Sequence, residues 1–167
     1  MNDLTIRPAR AGEAHEVVRL WNAAAAWLAS RGIDQWQYPP RLDRIAGSIE
    51  RGECYLAEQD GRIIGTVTVD SYADPDFWQP NDEPENALYV HRMAITRDAA
   101  GQEVGTALLD WAADLAAKAG KKWLRLDAWR TNTGLHRYYA ERGFRSVRVV
   151  NRANRRSGAL YQRPITD

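Results

Sequence analysis

The stretch ALYVHRMAITRDAAGQEVGTALLDWAADLAAKAGKKWLRLDAWRTNTGLHRYYAERGF, Ala87–Phe144, decides the fold. Its opening residues, Ala87–Ile95, read as a strand. The loop Thr96–Gly105 follows. Leu108, Leu109, Ala112, Leu115, Ala116 and Ala119 then recur at helical spacing up to Gly120, a natural C-terminal cap. Lys122–Trp129 reads as a second strand, with Leu124, Leu126 and Ala128 alternating as its buried face. A short helix, Asn132–Arg142, runs into Gly143-Phe144. A strand that feeds a glycine-bearing turn and then a helix is a ready anion site. The first N–H groups of the helix have no intrahelical acceptor, and the helix dipole favours negative charge there.

Working outward, Leu4–Pro8 reads as a strand and Gly12–Ala29 as an amphipathic helix. The segment Gly32–Pro40 is irregular and carries Trp36 and Tyr38; a second helix then runs to Arg51. Cys54–Glu58 and Ile63–Ser71 form a hairpin about Asp60-Gly61. Tyr72–Asn86 is a long, acidic, proline-bearing loop, and such loops are often functional. Two strands, Phe144–Val150 and Ala159–Arg163, close the chain around an Arg-rich connector. The expected order is βααβββαβαββ, and the fold class is α/β. The mixed sheet is antiparallel in its N-terminal half and parallel around the central strand–helix–strand unit. One domain is expected over residues 1–167.

Composition narrows the field. The chain has 167 residues, 44% of them apolar, and a formal net charge of +1, so no global charge points to nucleic acid. No run approaches the roughly 20 apolar residues that span a bilayer, and the first residues carry no apolar signal region. Cys54 is alone, which rules out an internal disulfide and makes a cysteine-based metal site unexpected. These features set the expectation of a cytoplasmic protein with no metal and no membrane partner.

Met93-Ala94-Ile95, Gly105-Thr106-Ala107-Leu108-Leu109, and Asn132 with Tyr139 and Gly143-Phe144 resemble the GNAT superfamily of N-acetyltransferases. The resemblance implies a GNAT-like mixed sheet and acetyl-CoA as co-substrate. The family's turn motif is Arg/Gln-x-x-Gly-x-Gly/Ala, and Gln102, Gly105 and Ala107 satisfy it literally. The spacing from Ile95 and the helix start favours another register. There Ala100 takes the Arg position, Glu103 the first Gly and Gly105 the second, which brings a carboxylate close to a dianionic pyrophosphate.

On this resemblance Gly101, Gln102, Glu103, Val104, Gly105 and Thr106 cradle the pyrophosphate, and backbone groups of Met93, Ala94 and Ile95 pair with the pantetheine arm. A backbone N–H there would polarise the thioester carbonyl as an oxyanion hole does. Tyr139 matches the family's general acid, suited because phenols are protonated at neutral pH. Asn132 either caps its helix or bonds the pantetheine. The family often carries a Glu on the Ala87–Ile95 strand; this strand has no carboxylate. His91, on one face with Tyr89, is the candidate base, since imidazoles titrate near neutrality. Trp36, Trp78, Tyr89 and Trp129 are candidates to line an acceptor pocket, and the acidic loop Asp74–Glu85 can draw in a basic substrate.

The implied activity is transfer of acetyl from acetyl-CoA to a primary amine of a small molecule or peptide, by direct attack in a ternary complex. A non-catalytic acyl-CoA sensor is the alternative, motivated by Glu103 and the missing strand carboxylate. The arginines from Arg142 to Arg156 suggest nucleic-acid binding less well than an exposed strand face, since no stacking aromatic is interleaved from Arg145 to Arg156. No nucleic-acid partner is therefore expected. The oligomeric state, a homodimer among the options, stays open.

Overall fold

The computed structural model describes residues 3–101 and 103–166. The elements run β1 (Thr5–Pro8), α1 (Ala14–Ser30), α2 (Leu42–Glu50), β2 (Cys54–Gln59), β3 (Arg62–Asp70), β4 (Ala87–Ile95), α3 (Val104–Lys118), β5 (Trp123–Trp129), α4 (Thr133–Ala140), β6 (Arg145–Val149) and β7 (Ser157–Pro164). Short 3-10 turns lie at Pro80–Asp82, Pro84–Asn86 and Arg97–Ala99. This is the element order read from the sequence. The strands follow the order β1-β2-β3-β4-β5-β7-β6. The chain divides into two compact units, one built on residues up to Val69 with Arg92–Trp111, the other on Asp70–His91 with residues from Ala112 on.

In the first unit β1, β2 and β3 pair antiparallel. The hairpin turn needs two left-handed residues, and Asp60 (φ 53°) and Gly61 (φ 75°) supply them. Val17 of α1, Ile45 of α2 and Cys54 and Leu56 of β2 form the apolar centre beneath the two helices. Gly65 of β3 is where α3 comes closest. A Cβ there would lie 3.3 Å from Leu108 and 3.4 Å from Val104, so glycine seats the opening turn of that helix against the strand. The Thr96 N–H donates to the Ile64 carbonyl (2.9 Å) and fixes the end of β4 to β3.

In the second unit β5 runs parallel to β4, with rungs from Ala87↔Trp123 to Val90↔Leu126. It pairs antiparallel with β7, which in turn pairs antiparallel with β6. Leu124, Leu126 and Ala128 are buried as expected, but so is Arg125 on the opposite face, at 2% exposure. The loop before β4 folds over that face. Phe77 and Trp78 are buried from it and pack with Tyr89 and Leu160. The Arg125 guanidinium lies 4.6 Å from the rings of both Trp78 and Trp123. It donates to the Tyr89 hydroxyl (3.2 Å), to Gln162 (3.0 Å) and to the carbonyls of Asp82 and Glu83. A buried cation is tolerated because its donors are satisfied and its planar face is stacked.

The acidic loop and the Arg-rich connector neutralise each other. Asp82 pairs with Arg148, Asp74 with Arg155 (2.6 Å), and Asp76 with Arg155 (3.6 Å) and Arg152 (3.9 Å). The Arg148 guanidinium holds the Asp82 carboxyl below the usual carboxylate range, against the opposing effect of burial. The two charge runs of the sequence are therefore each other's counter-ions. Gly158 is required sterically at the β6–β7 end, since a Cβ there would sit 2.0 Å from the Val150 carbonyl oxygen. Among the described residues no helix is long and apolar enough to cross a membrane.

Candidate active site

The second unit brings the chemically useful side chains of β3, β4 and β5 onto one face. Tyr89 and Arg125 face each other across a rung and are hydrogen-bonded. One same-face step further along each strand come His91 and Asp127, the positions just past the last rung, Val90↔Leu126. His91 Nε2 lies 2.9 Å from Asp70 Oδ1 at the end of β3. The side chains of His91 and Asp70 are 25% and 16% exposed, so this pair is accessible yet poorly screened by water. Asp127 is held among Ser157, whose hydroxyl bonds it, Arg155 and Asp74. Burial pushes its carboxyl up, against the smaller opposing effects of His91 and the Ser157 hydrogen bond.

Tyr139 lies on α4 and is 7% exposed, with its ring edge-on to Tyr138 and Phe144 at 5.5 Å. Burial, with lesser help from Tyr138 and Asp127, drives its phenol well above the ordinary tyrosine value. It therefore stays protonated across the neutral range, as a proton donor must. Asn132 is the α4 N-cap, its Oδ1 accepting from the Leu135 N–H at 3.1 Å. His136 is half-buried and bonds the Trp129 carbonyl at 2.8 Å.

The first unit holds the strand end and the turn. Directly after His91, Arg92 adopts φ 50° inside β4, a left-handed conformation that is uncommon for a residue other than glycine. Ala94 is buried, and Met93 and Ile95 are half-buried. Gly101 (φ 86°) and Glu103 (φ 62°) then turn the chain into α3. The Ala107 N–H is bonded to the Glu103 carbonyl at 3.0 Å as α3 begins, and Val104, Gly105 and Thr106 form the opening turn of that helix. The Glu103 carboxylate folds back to accept from the Thr106 hydroxyl at 2.9 Å. Gln102 lies outside the described residues. The left-handed bend, the opening amides and a carboxylate turned aside fit an anionic group.

The four aromatic candidates have different surroundings. Trp78 and Tyr89 are core, at 4% and 2% exposure. Trp36, at φ 62°, stacks on Trp21 with ring centroids 4.1 Å apart in the first unit, and Trp129 is buried at the end of β5 in the second. Asp70, Asp127 and Ser157 were not singled out in the sequence. The available signal was the parallel partnership of β4 and β5. Once Tyr89 is set opposite Arg125, Asp127 must share the His91 face.

The acetyltransferase (GNAT) family matches residues 20–144. An uncharacterized N-acetyltransferase of Bacillus subtilis, YesJ, is 31% identical over 143 residues, which covers 82% of this chain and 79% of that one. A GNAT-family acetyltransferase from Listeria monocytogenes superposes with a TM-score of 0.78 at 23% identity, covering 96% of this chain and 94% of that one. PaiA N-acetyltransferase from Thermoplasma acidophilum, solved with coenzyme A, superposes with a TM-score of 0.73 at 15% identity, covering 97% and 99%. The chain belongs to the acetyltransferase (GNAT) family. It is an acyltransferase that takes acetyl from acetyl-CoA.

Proposed function

We propose that this acyltransferase acetylates a primary amine of a small molecule or peptide by direct attack in a ternary complex. His91 serves as base and Tyr139 as acid. The observation that carries the reading is the 2.9 Å pairing of His91 with Asp70, on an accessible strand face just past the last β4–β5 rung. A carboxylate on one ring nitrogen fixes the imidazole's orientation and stabilises the imidazolium that forms when the other nitrogen takes a proton.

The residues divide the work. The opening amides of α3, Val104, Gly105 and Thr106, would hold the pyrophosphate, and the backbone of Met93 to Ile95 the pantetheine arm. Acetyl-CoA supplies the activated acyl group. His91 takes the proton from the acceptor ammonium and leaves a neutral amine to attack. Tyr139, kept protonated by burial, hands its proton to the departing thiolate. Cys54 has no part in this, being 1% exposed with its thiol pushed up by burial. Two-substrate initial-rate kinetics test the order of events. Intersecting double-reciprocal lines are expected, and parallel lines, the sign of an acyl-enzyme, would overturn direct attack.

A further inference from the structure

His91 and Asp127 occupy matching positions on β4 and β5, one step beyond the last rung of the parallel ladder. Asp127 is half-buried, and a carboxylate partly removed from water is costly unless something offsets its charge. The groups around Asp127 are Ser157, Arg155, Asp74 and His91. Arg155 is already committed to Asp74 at 2.6 Å and Asp76 at 3.6 Å. His91 is committed on one nitrogen to Asp70. The Arg155 charge is therefore shared with other carboxylates.

Resting on the reading above, we propose that Asp127 binds the acceptor's ammonium group beside His91, so that the site selects amines that arrive protonated. The ammonium donates one hydrogen bond to the Asp127 carboxylate and a second N–H to the open nitrogen of His91. The proton passes to His91, the neutral amine attacks, and Asp127 is not covalently altered. Asp70 holds the other ring nitrogen, Nε2, and the Ser157 hydroxyl fixes the Asp127 rotamer.

The test compares two acceptors on the same enzyme sample: 1,5-diaminopentane, cationic at neutral pH, and p-anisidine, uncharged there. The wild type is expected to favour the cation. Asp127→Asn should lower kcat/KM for the diamine about 10–100-fold, the usual worth of a hydrogen bond to a charge, mostly through KM. It should leave p-anisidine within about twofold. Asp127→Glu, which keeps the charge, should restore part of the preference. Because the readout is a ratio, partial loss of folded enzyme cancels. Equal losses for both amines in Asp127→Asn, or a wild type that acetylates only p-anisidine, would overturn the ammonium site while leaving the acetyltransferase reading in place. Acetylation of neither amine would overturn both.

Discussion

Glu103 sits in a left-handed turn, at φ 62°, a conformation that favours glycine. The sequence raises the question of a carboxylate beside a diphosphate. Its backbone conformation supports the register that aligns Glu103 with the first family glycine, and its side chain is drawn onto Thr106. Glu103→Gly should tighten coenzyme A binding, measured by calorimetry. Two charges about 4 Å apart in water-like screening interact by about 1 kcal/mol, roughly a fivefold change. Equal affinities would place the carboxylate clear of the phosphates. Tyr139→Phe removes only the hydroxyl of a buried ring. It should lower kcat about 10²-fold or more with coenzyme A affinity unchanged, and unchanged turnover would remove Tyr139 from the chemistry.

At the level of elements, the strands and helices were legible because each carries a clean period and ends on a recognisable stop, such as Gly120 after α3 or Asp60-Gly61 between β2 and β3. The face opposite Leu124 and Leu126 was not. Alternation along one strand shows which side chains go together. It does not show that a loop folds over the polar side and buries Arg125. The same limit hid Asp127. Its place beside His91 follows from the register with β4, which is a property of two strands. Gly158 was also silent in the sequence, since its need comes from the Val150 carbonyl on the neighbouring chain segment. Gly158→Ala should cost at least about 1–3 kcal/mol, the range for overpacking, because a backbone oxygen cannot rotate away. Urea denaturation would measure it, and an unchanged midpoint would contradict the packing described for β6 and β7.

Across the whole molecule, a net charge of +1 conceals carboxylate–guanidinium pairs that are local and specific. The long acidic loop and the arginine run looked like two separate surfaces because they lie some 70 positions apart in sequence; the pairs Asp82–Arg148 and Asp74–Arg155 join them. Arg7 holds Glu13 down to about 2, chiefly through a hydrogen-bonded pair, and Arg148 likewise depresses Asp82. For depressed carboxyls the stability is present in full above their unfolded values and is lost as pH falls through the folded ones. The thermal midpoint should therefore drop between about pH 4.5 and pH 2, and less steeply in a Glu13→Gln, Asp82→Asn double variant. Identical acid limbs would contradict these pairings. The acceptor's identity was not legible, because it depends on side-chain geometry that no single period encodes.

The most direct measurement is kcat/KM for an acceptor amine in His91→Ala, with acetyl-CoA affinity measured on the same protein. The expected result is a loss of about 10²–10⁴-fold, the usual contribution of a general base, with acetyl-CoA affinity unchanged. Wild-type kcat/KM in the variant would contradict the assignment of His91 as the group that frees the amine.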